Sequence, residues 1–93
     1  MNAQRRKDLD NVHTKLMEAL GKLEEAKGEL EWVHEQEEEA RDNMPESLQE
    51  SERYQRMDEI VGIFEDSEWS IDDATNTLEE VLGNLWDIIH ENE

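Results

Sequence analysis

Asp42-Asn43-Met44-Pro45-Glu46-Ser47-Leu48-Gln49-Glu50 interrupts an otherwise unbroken helical pattern. Proline disfavours the helical conformation in the residue before it, so a helix arriving from the amino-terminal side ends near Met44. Ser47-Leu48-Gln49-Glu50 has the spacing of a capping box, in which serine accepts from the amide three residues on and glutamate reaches back. A second helix is therefore predicted to open near residue 48. So short a connection forces the two helices to run antiparallel.

Both flanks carry heptads. Before the turn, Leu9, Val12, Leu16, Ala19, Leu23, Ala26, Leu30 and Val33 are spaced alternately by three and four, continuing through Glu37, Ala40 and Met44. After it come Tyr54, Met57, Val61, Phe64, Glu68, Ile71, Thr75, Leu78, Leu82, Leu85 and Ile89. Such alternation marks the seam of a coiled coil. The predicted fold is all-α: a coiled-coil-like antiparallel two-helix hairpin forming one acidic domain over residues 1–93, with scope to dimerise into a four-helix bundle. Its helices cover about 3–42 and about 48–91, with the turn at 43–47. A turn centred near Pro45 makes facing residue numbers add to about 90, pairing Ala26 with Phe64 and Ala19 with Ile71. Ser70 and Asp73 offer a cap for a fresh helix, hence a kink near 66–70, yet the heptad phase passes through unbroken; a continuous or slightly kinked helix is expected.

Composition narrows the function classes. The 93 residues carry a net charge of −18, with 39% charged and 34% hydrophobic residues. That balance borders on the disordered class, and the periodicity is what argues for a fold. All nine basic residues lie at or before Arg56, whereas twelve acids and no Lys or Arg follow from Met57. Such an excess repels nucleic acid and anionic membrane and favours a basic partner. No cysteine is available for a disulfide or thiolate chemistry. No apolar run approaches the ~20 residues of a membrane span. Arg5-Arg6-Lys7 is not followed by the apolar segment of a signal peptide, so a soluble, cytoplasmic protein is expected.

Three constellations resemble functional sites and fail on geometry. Glu31-Trp32-Val33-His34 and Asp87-Ile88-Ile89-His90 have the Glu-x-x-His type of spacing found in di-metal bundles. With Val33 and Ile89 at the seam, His34, His90 and likewise His13 are expected to be solvated, and no metal or other cofactor is expected. Asp66 to Thr77 is not a calcium loop, because Ile71 and Thr77 stand where glycine and glutamate are required. Acid–base catalysis needs a desolvated carboxylate pair, for which a narrow hairpin has no pocket; no enzyme activity is expected.

The tryptophans and the acids supply the binding candidates. Trp32 and Trp69 fall off the predicted seam, and tryptophan is enriched at interface centres. The candidate partner-binding residues are Trp69, Glu65, Asp66, Asp72, Asp73, Glu79, Glu80 and Trp32. A third apolar column on the second helix, Ile60, Ala74, Val81 and Ile88, is the candidate surface for a homodimer. Spread over a hairpin roughly 60 Å long, the net charge amounts to about one per 3.3 Å, half the density of duplex DNA. A side-by-side dimer approaches that density, which leaves DNA mimicry open.

Asp42 to Tyr54, set between two acidic heptad helices, resembles a set of small helical proteins encoded by phages and prophages of Gram-positive bacteria. The opening Asn2, Arg5, Arg6, Lys7 pattern is similar too. The resemblance implies a phage protein in the cytoplasm of a bacterial host, one that binds and inhibits a host factor. The leading expectation is a protein–protein interaction that blocks a basic, nucleic-acid-binding host protein such as a defence nuclease, an anti-defence role. The alternative is a structural coiled-coil assembly or scaffold protein with no inhibitory role.

Overall fold

The computed structural model describes residues 1–91 and shows two long helices joined by a short connection. Helix α1 spans Ala3–Asp42, a 3-10 turn spans Glu46–Leu48, and helix α2 spans Glu52–Ile89 without a break. Asn2 opens α1: its side-chain oxygen accepts from the Arg5 amide at 2.8 Å and its carbonyl from Arg6 at 3.1 Å.

The connection corrects the expected start of the second helix. Pro45 is extended (φ −55°, ψ 142°), and its carbonyl accepts from the Leu48 amide at 2.8 Å, so the segment after it winds into the 3-10 turn. The cap falls on Ser51, not on Ser47. Ser51 Oγ accepts from the Tyr54 amide at 3.2 Å, its carbonyl accepts from Gln55 at 3.1 Å, and its hydroxyl donates to the Leu48 carbonyl at 2.6 Å. α2 consequently opens at residue 52, where the sequence reading places it near 48.

The chain forms two compact units: Met1–Glu25 with the segment from Asp72 onward, and Ala26–Ile71. In the Ala26–Ile71 unit, which holds the connection, the two helices meet through Arg41–Asp58, His34–Phe64 and His34–Glu68. In the other unit His13 meets Trp86. These pairs fix a register in which facing numbers add to about 100 rather than about 90. The longer connection is the reason: Met57, not a residue nearer the turn, stands level with Asp42, so Ala26 and Phe64 do not face one another.

α2 presents the expected seam, with Val61 and Leu82 buried and Phe64, Ile71, Leu78, Leu85 and Ile89 half-buried. α1 is turned relative to expectation. Its leucine column (Leu9, Leu16, Leu23, Leu30) is inward, but the companion column is Arg6, His13, Leu20, Lys27, His34 and Arg41. Val12 and Val33, expected in the seam, are 46% and 45% exposed, and Ala19, Ala26 and Ala40 are exposed as well. Glu68 explains the rotation. It occupies a seam position on α2, and a carboxylate there is costly unless a cation or hydrogen-bond donor meets it. Only the second column of α1 supplies one, and the stems of its Arg and Lys side chains also cover apolar surface.

The cap assignment is tested by two serine variants followed by urea unfolding at 222 nm. Ser51→Ala should cost about 1 kcal/mol, as loss of an N-cap does, while Ser47→Ala should stay within about 0.5 kcal/mol. The reverse order would return the start of α2 to residue 48.

Candidate functional site

The most developed polar cluster lies in the Ala26–Ile71 unit around His34. Its Nδ1 stands 2.9 and 3.0 Å from the two Glu68 carboxylate oxygens. Nε2 stands 3.4 Å from Glu38, one turn further along α1, and 3.9 Å from Glu65 on α2. The His34 and Glu68 side chains are only 14% and 17% exposed, while Glu38 and Glu65 are 46% and 57% exposed. The Phe64 ring covers one side at a centroid distance of 6.1 Å. Contrary to the sequence reading, His34 is an interior residue that donates to a carboxylate.

This setting favours the charged ring. The hydrogen bond to Glu68 raises the His34 pKa above its ordinary 6.5; burial opposes this, and the charges of Glu68, Glu38 and Glu65 add to the rise. Toward the connection, Arg41 Nη1 donates to Asp58 at 2.9 Å, Nε to Asp42 at 3.1 Å, and Nη2 lies 3.9 Å from Glu38. Asp58 is 62% exposed, so this outer pair is worth well under the inner one, in the range of about 0–1 kcal/mol. Next to it Glu35, Glu38, Glu39, Asp42 and Asn43 line a shallow, open depression. Its walls are four carboxylates and one amide.

In the unit formed by Met1–Glu25 and the segment from Asp72 onward, His13 is again interior, only 8% exposed, where a solvated side chain is expected from the sequence. Trp86 lies against it at 5.8 Å and against His90 at 3.8 Å, and His90 Nδ1 is 2.9 Å from the Trp86 carbonyl. His90 itself is exposed.

The candidate binding residues fall into both units. Trp32, Glu65, Asp66 and Trp69 belong to Ala26–Ile71, whereas Asp72, Asp73, Glu79 and Glu80 belong to the other. Trp69 is 72% and Trp32 63% exposed, and neither makes a ring contact among the described residues. Asp66, Asp73, Glu79 and Glu80 are exposed, Asp72 is half-buried, and Glu65 leans toward His34. Of the apolar column, Val81 and Ile88 are 38% and 37% exposed, Ala74 is exposed and Ile60 half-buried. The histidine cluster was missed by sequence reasoning. Its signal was present: a heptad column of Arg6, His13, Lys27, His34 and Arg41 beside a glutamate in the opposite seam.

Among the described residues no group of three or more His, Asp or Glu side chains is placed to hold a metal ion. No helix among them is long and apolar enough to cross a membrane. No known protein family, curated protein or solved structure matches the chain.

The cluster makes stability depend on pH. The folded state binds the His34 proton more tightly than the unfolded chain, so the contribution is complete below pH 6.5 and is lost as pH rises through the raised folded value. Urea unfolding of the native protein and of His34→Gln should differ most below pH 6.5 and converge above it. A difference that does not change with pH would remove the charged His34 from the seam.

Proposed function

We propose that this chain is a phage-type acidic interaction protein that binds and inhibits a basic host protein, one whose basic surface ordinarily holds nucleic acid. The observation that carries the reading is the distribution of acids on α2. In heptad terms Glu59, Asp66, Asp73, Glu80 and Asp87 form one column, and Asp58, Glu65, Asp72 and Glu79 form the neighbouring one. Asp66, Asp73, Glu79 and Glu80 have no ion-pair partner among the described residues. Two cations of α1 are committed in the seam, Arg41 to Asp58 and His34 to Glu68, and no Lys or Arg follows Arg56.

Unneutralised carboxylates in helical columns attract a basic groove over a distance and speed encounter. A desolvated aromatic side chain then supplies most of the lasting affinity. Trp69 fits that part, since it is 72% exposed with Glu65 and Asp66 one turn before it on the same helix. The phage resemblance of Asp42–Tyr54 supports a host protein as the target, and a defence nuclease is the kind of target that an acidic DNA-like surface would block. Such a protein acts in the cytoplasm of the bacterial host and needs no cofactor.

The test is a pull-down from a Gram-positive bacterial lysate, followed by competition with duplex DNA. A nucleic-acid-binding protein should be retained at low salt, released at high salt and displaced by DNA. Reversing Asp72, Asp73, Glu79 and Glu80 to lysine should slow association at least about tenfold. Trp69→Ala should cost about 2 kcal/mol, roughly 30-fold in Kd, through faster dissociation. A charge-reversed protein that binds and inhibits as well as the native one would show that these acids are solvated surface only.

A further inference from the structure

The rotation of α1 leaves each unit with two unlike sides. On one side lie the cationic column of α1 and the acids of α2. On the other, the exposed residues nearest the seam are small or apolar on both helices. In the unit of Met1–Glu25 and the segment from Asp72 onward, a register near 100 sets Val12 level with Ile88 and Ala19 level with Val81. In the Ala26–Ile71 unit it sets Ala40 level with Ile60. Val12, Val81 and Ile88 are between 37% and 46% exposed. The next column outward on α2 is Ile63, Ser70, Thr77 and Asn84, so this side of α2 bears no charge from Ile60 to Ile88 in a chain that is 39% charged.

We infer that a second copy of this chain covers the uncharged side, closing an antiparallel four-helix bundle. Three observations select a second copy as the occupant. First, the chain exposes 7083 Å², against about 5,600 Å² for a compact protein of its 11.0 kDa mass. The excess of about 1,500 Å² exceeds the ~800 Å² that each partner gives up in a standard interface. Second, only Val61 and Leu82 are buried apolar residues among those described, so the hairpin alone has little core and two joined apolar sides would supply one. Third, the charge fits. Two chains of net charge −18 repel least where α2 presents no acids, and on α1 the bordering column of Asp8, Lys15, Lys22 and Glu29 is balanced in charge. At its border on α1, Lys15 and Lys22 have no ion pair within the chain among the described residues. In an isologous pair they face the second copy, whose Asp73 and Glu80 border its own uncharged side.

Light scattering at micromolar concentration should give twice 11.0 kDa, about 22 kDa. A monomer mass, or a larger and concentration-dependent one, overturns the inference. Val81→Glu should weaken the dimer at least tenfold with helicity retained. Thr77→Glu, an exposed polar position on the same side, should weaken it too and serves if Val81→Glu loses helix. Dimers unaffected by the second change, with the first either unaffected or unfolded, overturn the inference. Raised salt should leave the dimer intact or tighten it, because it screens repulsion between the copies. Binding of a basic partner has the opposite salt response, so the two readings fail separately.

Discussion

Glu68 lies at a seam position of α2, and the arrangement of α1 follows from meeting it. Its side chain is 17% exposed, so leaving it without a donor would cost about 1–3 kcal/mol or more. α1 offers two columns beside its leucines. One is Val12, Ala19, Ala26, Val33 and Ala40, and the other runs from Arg6 through His34 to Arg41. The first buries more apolar surface and leaves Glu68 unpaired. The second places the His34 imidazole 2.9 Å from the carboxylate and replaces Ala19 by the larger Leu20. The electrostatic requirement of one residue outweighs the hydropathy of five small or branched ones.

The consequence is a lateral division of labour. Arg6, Lys27, His34 and Arg41 are drawn into the inner column of α1, away from the outer acids of α2. In the unit of Met1–Glu25 and the segment from Asp72 onward, Val12 and Ala19, displaced from the seam, lie level with Ile88 and Val81. Charge and apolar surface are thereby separated around the helices, not mixed along them. On the two proposals made above, an acidic side would recruit by long-range attraction that salt weakens, and an apolar side would associate by burial that salt does not weaken. The two proposed contacts centre on different columns of α2 and adjoin at Asp73 and Glu80.

Much of the fold was legible in the sequence. The two helices, their antiparallel course and the whole seam of α2 follow from three–four spacing and from Pro45. The start of α2 was not, because Ser47 and Ser51 both precede acidic and apolar residues at capping distance, and only the 3-10 turn after Pro45 decides between them. The rotation of α1 was obscured because periodicity scores apolar residues and passes over histidines and arginines with the same spacing. Among the candidate site residues, the exposure of Trp32 and Trp69 was readable from their place off the seam. The half-burial of Asp72 and the interior roles of His13 and His34 depend on the register, which no single helix encodes.

The rotation of α1 is tested most directly by nuclear Overhauser contacts to the single phenylalanine. The ring protons of Phe64 should show contacts to the imidazole of His34, whose centroid lies 6.1 Å away. Strong contacts from Phe64 to the Ala26 methyl group, with none to His34, would restore the valine–alanine column to the seam and contradict the account.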